Sequence, residues 1–335
     1  MNVDETPDTT QPAKQRIWRW ALFSLAVSIS LTAGKTFAWW ITGSAAILSD
    51  ALESIVNILS SSFVIYAIWL ANKPRDADHP YGHGKVEFFS AGFEGALVLF
   101  AALAILGVGV VRLFDPQLPE SMGLGAALQA TISVVTLLLG QLIIAAGKRH
   151  SSPSLVADGI HIRSDAVTSF GVLIGLLGVM FTGWAWLDPL CAVLVGVWLA
   201  TSGVRVIREA VAGLMDEADP ALLGEIAAEL QRVRKPGWIG PHHAKIHRLG
   251  RSFHLDLHMV FPRYWPLEQA HDASEEIEAA LRERFGAEAE LMLHMESCTP
   301  RSCSYCDVAD CPVRTSPLTE RPVWDAAHIA TPHRH

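Results

Sequence analysis

Six apolar stretches, each long enough to cross a bilayer, decide most of what this chain can become. They run at about 17–40, 46–71, 88–114, 121–147, 155–182 and 186–211. A helix needs ~20 apolar residues to span the hydrocarbon core. Lipid offers the backbone no hydrogen-bond partners, so each stretch must be helical and satisfy itself. The class is an α-helical membrane protein with six transmembrane helices. Half of the 335 residues are hydrophobic, in agreement. Trp18, Trp20, Trp39 and Trp40 flank the first stretch, as interface anchors do. Lys73, Arg75, Lys85, Lys148 and Arg149 fall in the links after the second and fourth stretches. Lys14, Arg16 and Arg19 precede the first, and Arg205 and Arg208 close the sixth. The remaining links are nearly free of basic residues, Arg112 excepted. Both termini are therefore expected in the cytosol. The polar start and the long apolar run after it do not read as a cleavable signal peptide.

After the sixth stretch the composition becomes that of a soluble domain. Asp219-Pro220 is an N-cap followed by a proline at the first helical position, and it opens a helix to about Val233. Residues 243–249 and 252–261 read as strands joined at Gly250-Arg251. In the second strand Phe253, Leu255, Leu257 and Met259 alternate with His254, Asp256 and His258. Residues 266–285 form an amphipathic helix and 289–296 a third strand. The order helix, strand, strand, helix, strand predicts a C-terminal cytosolic α+β domain of ferredoxin- or metallochaperone-like αββαβ type. The expected organisation is a disordered lead at 1–15, a six-helix transmembrane domain at 16–213, a cytosolic domain at 214–297 and a Cys-rich tail at 298–335. A net charge of −8 argues against nucleic acid as a partner and suits attraction of cations.

Polar residues inside two apolar stretches carry the chemistry. His161 and Asp165 are four apart in the fifth, and Glu53 and Asn57 are four apart in the second. On a helix each pair shares a face, with Asp50 one turn before Glu53. Ionisable groups at membrane depth are costly and mark ion or proton paths. Packed together, Glu53, Asn57, His161 and Asp165 make a four-ligand N/O metal site. The plainer alternative is a hydrogen-bonded cluster that only holds the helices together. Between the second and third stretches, Asp76, His79 and His83 are spaced to bind one metal at the membrane surface, and an ordinary polar connection with two histidines fits the spacing equally well. Farther on, His242, His243, His247, His254 and His258 crowd two strands, joined by His271 on the helix and His294 on the last strand. Seven histidines in so small a domain point to metal ligands. Cys298, Cys303, Cys306 and Cys311 follow the pattern C-x4-C-x2-C-x4-C. In a reducing compartment these suit zinc, cadmium or an iron–sulfur centre rather than disulfides. Cys191 alone reads as packing, and His328, His333 and His335 as unstructured.

Asp-His-Pro-Tyr-Gly-His-Gly-Lys at 78–85, the His161-x-x-x-Asp165 pair and the cytosolic domain after six spans together resemble the cation diffusion facilitator family. The similarity covers about 17–297. It implies a homodimeric exporter of divalent metal ions driven by proton antiport, embedded in the lipid bilayer, with no enzymatic activity and no organic cofactor. Zinc is the first expected substrate and regulatory ligand, with iron(II) next and manganese, cobalt or cadmium as alternatives. The resemblance places the transport site at Glu53, Asn57, His161 and Asp165, and the loop site at Asp76, His79 and His83. It places a cytosolic pair of metals at His242, His258, His271, His294 and Glu296, and a salt bridge between Lys85 and Asp216. Short links suggest a bacterial inner membrane.

One departure bears on the metal. Where relatives bring two ionisable ligands from the second span, this chain has Glu53-x-x-x-Asn57. Asn57 is a neutral oxygen donor and leans toward oxygen-loving metals, while His161 pulls back toward zinc, cobalt or iron. Asp50 or Asp158 can supply the missing charge, and Asp158 reads equally well as a helix cap. Metal binding needs neutral His161 and ionised carboxylates, so it displaces protons. An ordinary imidazole titrates near ~6.5, which makes His161 the natural coupling residue. A membrane metalloenzyme would need a motif such as His-Glu-x-x-His, which is absent. A membrane-anchored metal sensor is the competing class.

Overall fold

Many large apolar side chains of the N-terminal helices stand exposed, while a set of polar and ionisable ones is buried among them. The computed structural model describes residues 11–42, 45–114, 124–184, 186–250, 252–286 and 289–332, except for the side chains of 11–16, 45–57, 124–129 and some further positions within the helices. Residues 1–10 of the expected disordered lead lie outside the described residues, and the first helix opens at Gln11. The chain divides after Met215 into two units.

The N-terminal unit contains α1 (Gln11–Thr42), α2 (Ala45–Ala71), α3 (Val86–Phe114), α4 (Leu124–Arg149), α5 (Pro153–Thr182) and α6 (Leu187–Leu214). The shortest has 26 residues. At ~1.5 Å per residue, even that helix exceeds the ~30 Å of hydrocarbon it must cross. Among the described residues, Ile17–Gly34, Val86–Phe114 and Pro189–Leu214 are both long and apolar enough to span a membrane. Phe37, Phe100, Phe114 and Phe181 stand exposed on the outside. Ser24, Ser60, Ser61, Glu87, Glu94, Asp158 and His161 are buried inside. A water-soluble bundle would reverse this arrangement, whereas lipid requires it. Two glycines bring α4 and α5 into backbone contact. A Cβ on Gly147 would meet the Val156 nitrogen at 2.7 Å, and one on Gly159 the Ile144 nitrogen at 2.7 Å. Small residues permit such close approach in membranes, and here they anchor the helix that carries His161 and Asp165.

The C-terminal unit contains α7 (Pro220–Val233), β1 (Gly240–Leu249), β2 (Ser252–Phe261), α8 (Leu267–Phe285), β3 (Ala289–Ser297), a 3-10 turn at Pro300–Ser304 and α9 (Ala326–Ala330). As the sequence predicts, Asp219 caps α7, accepting from the backbone of Ala221 and Leu222 at 3.0 and 3.1 Å. The sheet order is β1-β2-β3, with β1 antiparallel and β3 parallel to β2. The parallel pair needs a crossover, and α8 supplies it. Leu255, Leu257 and Met259 of β2 pack against Leu223, Ile226 and Leu230 of α7 and Ile277 and Leu281 of α8. The opposite face of β2 is left to His254, Asp256 and His258.

Residues beyond 298 contribute to this same core. Trp324 and Ile329 are buried in it. The Trp324 backbone donates to Gln231 Oε1 at 2.9 Å, and the Arg234 guanidinium lies 4.3 Å from the Trp324 ring centroid. His328, expected to be unstructured, sits in α9 beneath its Asp325 cap. Two large apolar side chains in an otherwise polar segment find the layer between sheet and helices. Trp324→Ala is expected to cost the C-terminal unit about 3–5 kcal/mol, read as a lower denaturant midpoint for that unit.

Candidate metal centres

The interior of the bundle gathers ionisable groups from two helices. His161 is buried on α5, and its Nδ1 lies 3.6 Å from Oε2 of Glu94, a fully buried carboxylate on α3. The Ser60 hydroxyl of α2 donates to Oε1 of the same carboxylate. One turn before His161, Asp158 is buried and accepts from Ser24 at 2.8 Å and Ser61 at 2.9 Å. It lies inside α5 rather than at its cap. Asp165 is half-buried one turn after His161. Glu53, Asn57 and Asp50 lie on α2, and their side chains fall outside the described residues. Glu94 is the group that sequence reading passed over. Its signal was present, since it is an acidic residue inside an apolar run.

The loop between α2 and α3 folds Asp76, His79 and His83 together. One ligand atom from each lies within 4.8 Å of the others. His79 Nδ1 is 3.0 Å from Asp76 Oδ1, and His83 Nε2 is 3.4 Å from Oδ2. Asp76 Oδ1 also accepts from the His79 backbone at 2.7 Å. Gly82, at φ +84°, reverses the chain so that the two imidazoles face each other at 4.3 Å between ring centroids. The hydrogen bond from His79 holds the Asp76 carboxyl below the ordinary carboxylate range. Asp76 therefore stays ionised as pH falls from neutral. Asp76→Asn is expected to lower metal affinity and so to raise the pH at which metal is lost, read by titration at several pH values.

Strand register builds a third cluster. His242 pairs with His258 across β1 and β2, and His258 with His294 across β2 and β3. Glu296 lies two residues beyond His294, on the same face. His258 Nδ1 is 2.8 Å from Glu296 Oε1, and His242 Nε2 is 3.4 Å from Oε2. His242, His258 and Glu296 offer ligand atoms within 4.8 Å of one another. His294 Nε2 stands 3.9 Å from Glu296 at the margin. A β-bulge between His242 and Lys245, with His243 at φ +57°, turns the His243 ring to 4.7 Å from that of His258. His271 stands apart on α8, exposed, 3.5 Å from Glu275. His258→Ala is expected to weaken binding here at least ~10–100-fold, the loss typical even for an outer partner of a ligand. Metal titration of the purified chain checks it.

Lys85 donates to the Leu214 carbonyl at 3.4 Å, and Asp216 lies 3.2 Å from His247 Nδ1. The four cysteines at 298, 303, 306 and 311 are free thiols lining one small cavity.

A polar, ligand-lined interior inside lipid-facing helices, followed by a histidine-bearing sheet, is the build of a membrane transporter for cations. The family profile of the cation efflux transmembrane domain matches residues 21–215, and that of the cation efflux protein cytoplasmic domain matches 218–298. An uncharacterized transporter of Synechocystis, sll1263, is 36% identical over 266 residues, covering 79% of this chain and 86% of its own. The cation-efflux pump FieF of Yersinia pestis is 31% identical, covering 83% and 92%. FieF of Salmonella arizonae is 28% identical, covering 84% and 93%. The chain belongs to the cation efflux family, the cation diffusion facilitators. It is a multi-pass membrane transporter of divalent metal ions and not an enzyme.

Proposed function

We propose that this protein exports zinc, with iron(II) as second substrate, in exchange for protons. It works as a homodimer in a bacterial inner membrane with both termini in the cytosol. The observation that carries the reading is the buried His161–Glu94 pair, 3.6 Å apart within the bundle. A structural helix bundle has no use for a fully buried carboxylate beside an imidazole, whereas a path for cations and protons does.

In this reading Glu53, Asn57, His161 and Asp165 take the ion in place of its water, with Asp50 as the alternative donor from α2. Ligands must shed protons to bind metal, so the site holds either metal or protons. Glu94, beside His161, takes up part of that proton load. Asp76, His79 and His83 collect metal at the membrane surface. The sheet site of His242, His258 and Glu296, with His294 beside it, responds to cytosolic metal.

The test is metal flux into proteoliposomes under an imposed proton gradient, run for zinc, iron(II), manganese(II), cobalt and cadmium. Zinc or iron(II) moving against a proton counterflow supports the reading. Movement of the other metals alone reassigns the substrate. If nothing moves while the protein binds several equivalents, it is a membrane-anchored sensor.

A further inference from the structure

The segment that closes the C-terminal unit presents a folding problem. From Tyr305 to Asp325 the chain has neither helix nor strand, yet it delivers Trp324 to the core. Irregular stretches of that length are uncommon inside compact domains, because ordering them costs about 1–2 kcal/mol per residue in backbone entropy. The apolar support nearby is thin, since Ile239, Val260 and Cys306 form a small cluster of their own. Something else must hold the segment.

The four cysteines are placed to do so. Cys298 leaves the end of β3, with its backbone donating to the Phe261 carbonyl at 2.8 Å. Cys303 lies in the 3-10 turn, and Cys306 and Cys311 follow in the irregular stretch. All four line one cavity with about 10 Å³ of free space, room for a single ion or water and too little for an organic ligand. Cys303 and Cys306 are buried, and none of the four is in a disulfide.

The surroundings suit thiolates. The Arg263 backbone N–H donates to Cys298 Sγ at 3.3 Å, and the Thr315 hydroxyl to Cys303 Sγ at 3.5 Å. The side chain of Arg314, also lining the cavity, donates to the carbonyls of Cys303, Cys306 and Val308 at 3.1, 3.0 and 2.6 Å. One guanidinium thus winds the loop and leaves positive charge beside the sulfurs. Four thiolates around a divalent ion carry net negative charge, which N–H···S bonds and arginines offset. No three of the sulfurs lie within 4.8 Å of one another among the described residues, so an ion must draw them in.

We propose that Cys298, Cys303, Cys306 and Cys311 bind one zinc ion in a closed tetrahedral site that clamps the segment after β3 onto the sheet. Four sulfur ligands with no open position define a structural centre rather than a transport or catalytic one. Three of the four cysteines lie beyond the cytoplasmic-domain profile, whose match ends at Cys298, and the site stands or falls independently of the transport reading.

The test uses the reduced, metal-free full-length protein in detergent, titrated with cobalt(II). A thiolate-to-cobalt charge-transfer band with tetrahedral d–d absorption is expected, saturating at one equivalent and displaced by zinc. Histidine and carboxylate sites elsewhere in the chain produce no such band. Cys303→Ser/Cys306→Ser should lose the band, and Cys191→Ser should keep it. In the zinc-loaded protein, mercurial titration of the thiols should release one further equivalent of zinc. Absence of the band from the unaltered chain overturns the proposal whatever the variants do, as does its survival in the double variant. An iron–sulfur chromophore in protein purified without air overturns the zinc assignment.

Discussion

Asp165→Ala is expected to abolish metal flux in proteoliposomes and the proton counterflow with it. The carboxylate lies one turn from His161 on α5, inside a unit whose exterior is apolar. An ion leaving water for that interior needs anionic oxygen in place of its hydration shell, and no solvent can replace a lost ligand there. Removal of an outer partner at a metal site already costs ~10–100-fold, so loss of a direct ligand should exceed ~100-fold in flux. Metal binding at the sheet site should be untouched, which separates loss of the path from loss of the fold. Flux within about twofold of the unaltered protein would place the path away from α5.

Glu94→Gln carries the second largest expected effect and probes coupling rather than binding. The substitution keeps the shape and an oxygen to accept from Ser60, and it removes only the ionisable oxygen facing His161. Metal flux is expected to fall ~10-fold or more. The sharper readout is the ratio of protons returned to metal exported, which should fall. If Glu94 merely braced the helices, metal and proton flux would drop in proportion and the ratio would hold. An unchanged ratio would therefore remove Glu94 from the proton path.

How much of this was readable in the sequence depends on the distance over which each feature is decided. His161 and Asp165 share a helix face because their spacing is four, and nothing beyond α5 is needed to know it. The alternation in β2 likewise assigned Leu255 and Leu257 to the core and His258 to the opposite face before any partner strand was known. Glu94 was equally visible as a letter, but its meaning depends on α3 packing beside α5. The convergence of His242, His258 and Glu296 comes from the register of three strands, shifted at His243 by a bulge that no local pattern announced. Glu53, Asn57 and Asp50 keep the standing that spacing and resemblance give them, since their side chains lie outside the described residues.

By itself the sequence determined the membrane class, the six helices, the order of the α+β unit and the residue types able to hold metal. Those follow from hydropathy, periodicity and capping, which act within a few residues of each position. Only the tertiary structure decided that Glu94 meets His161, that three strands deliver one ligand group, and that Trp324 completes the C-terminal core. Each of these joins residues far apart in the chain, and such contacts are chosen by packing and register, in which every element must fit the others at once.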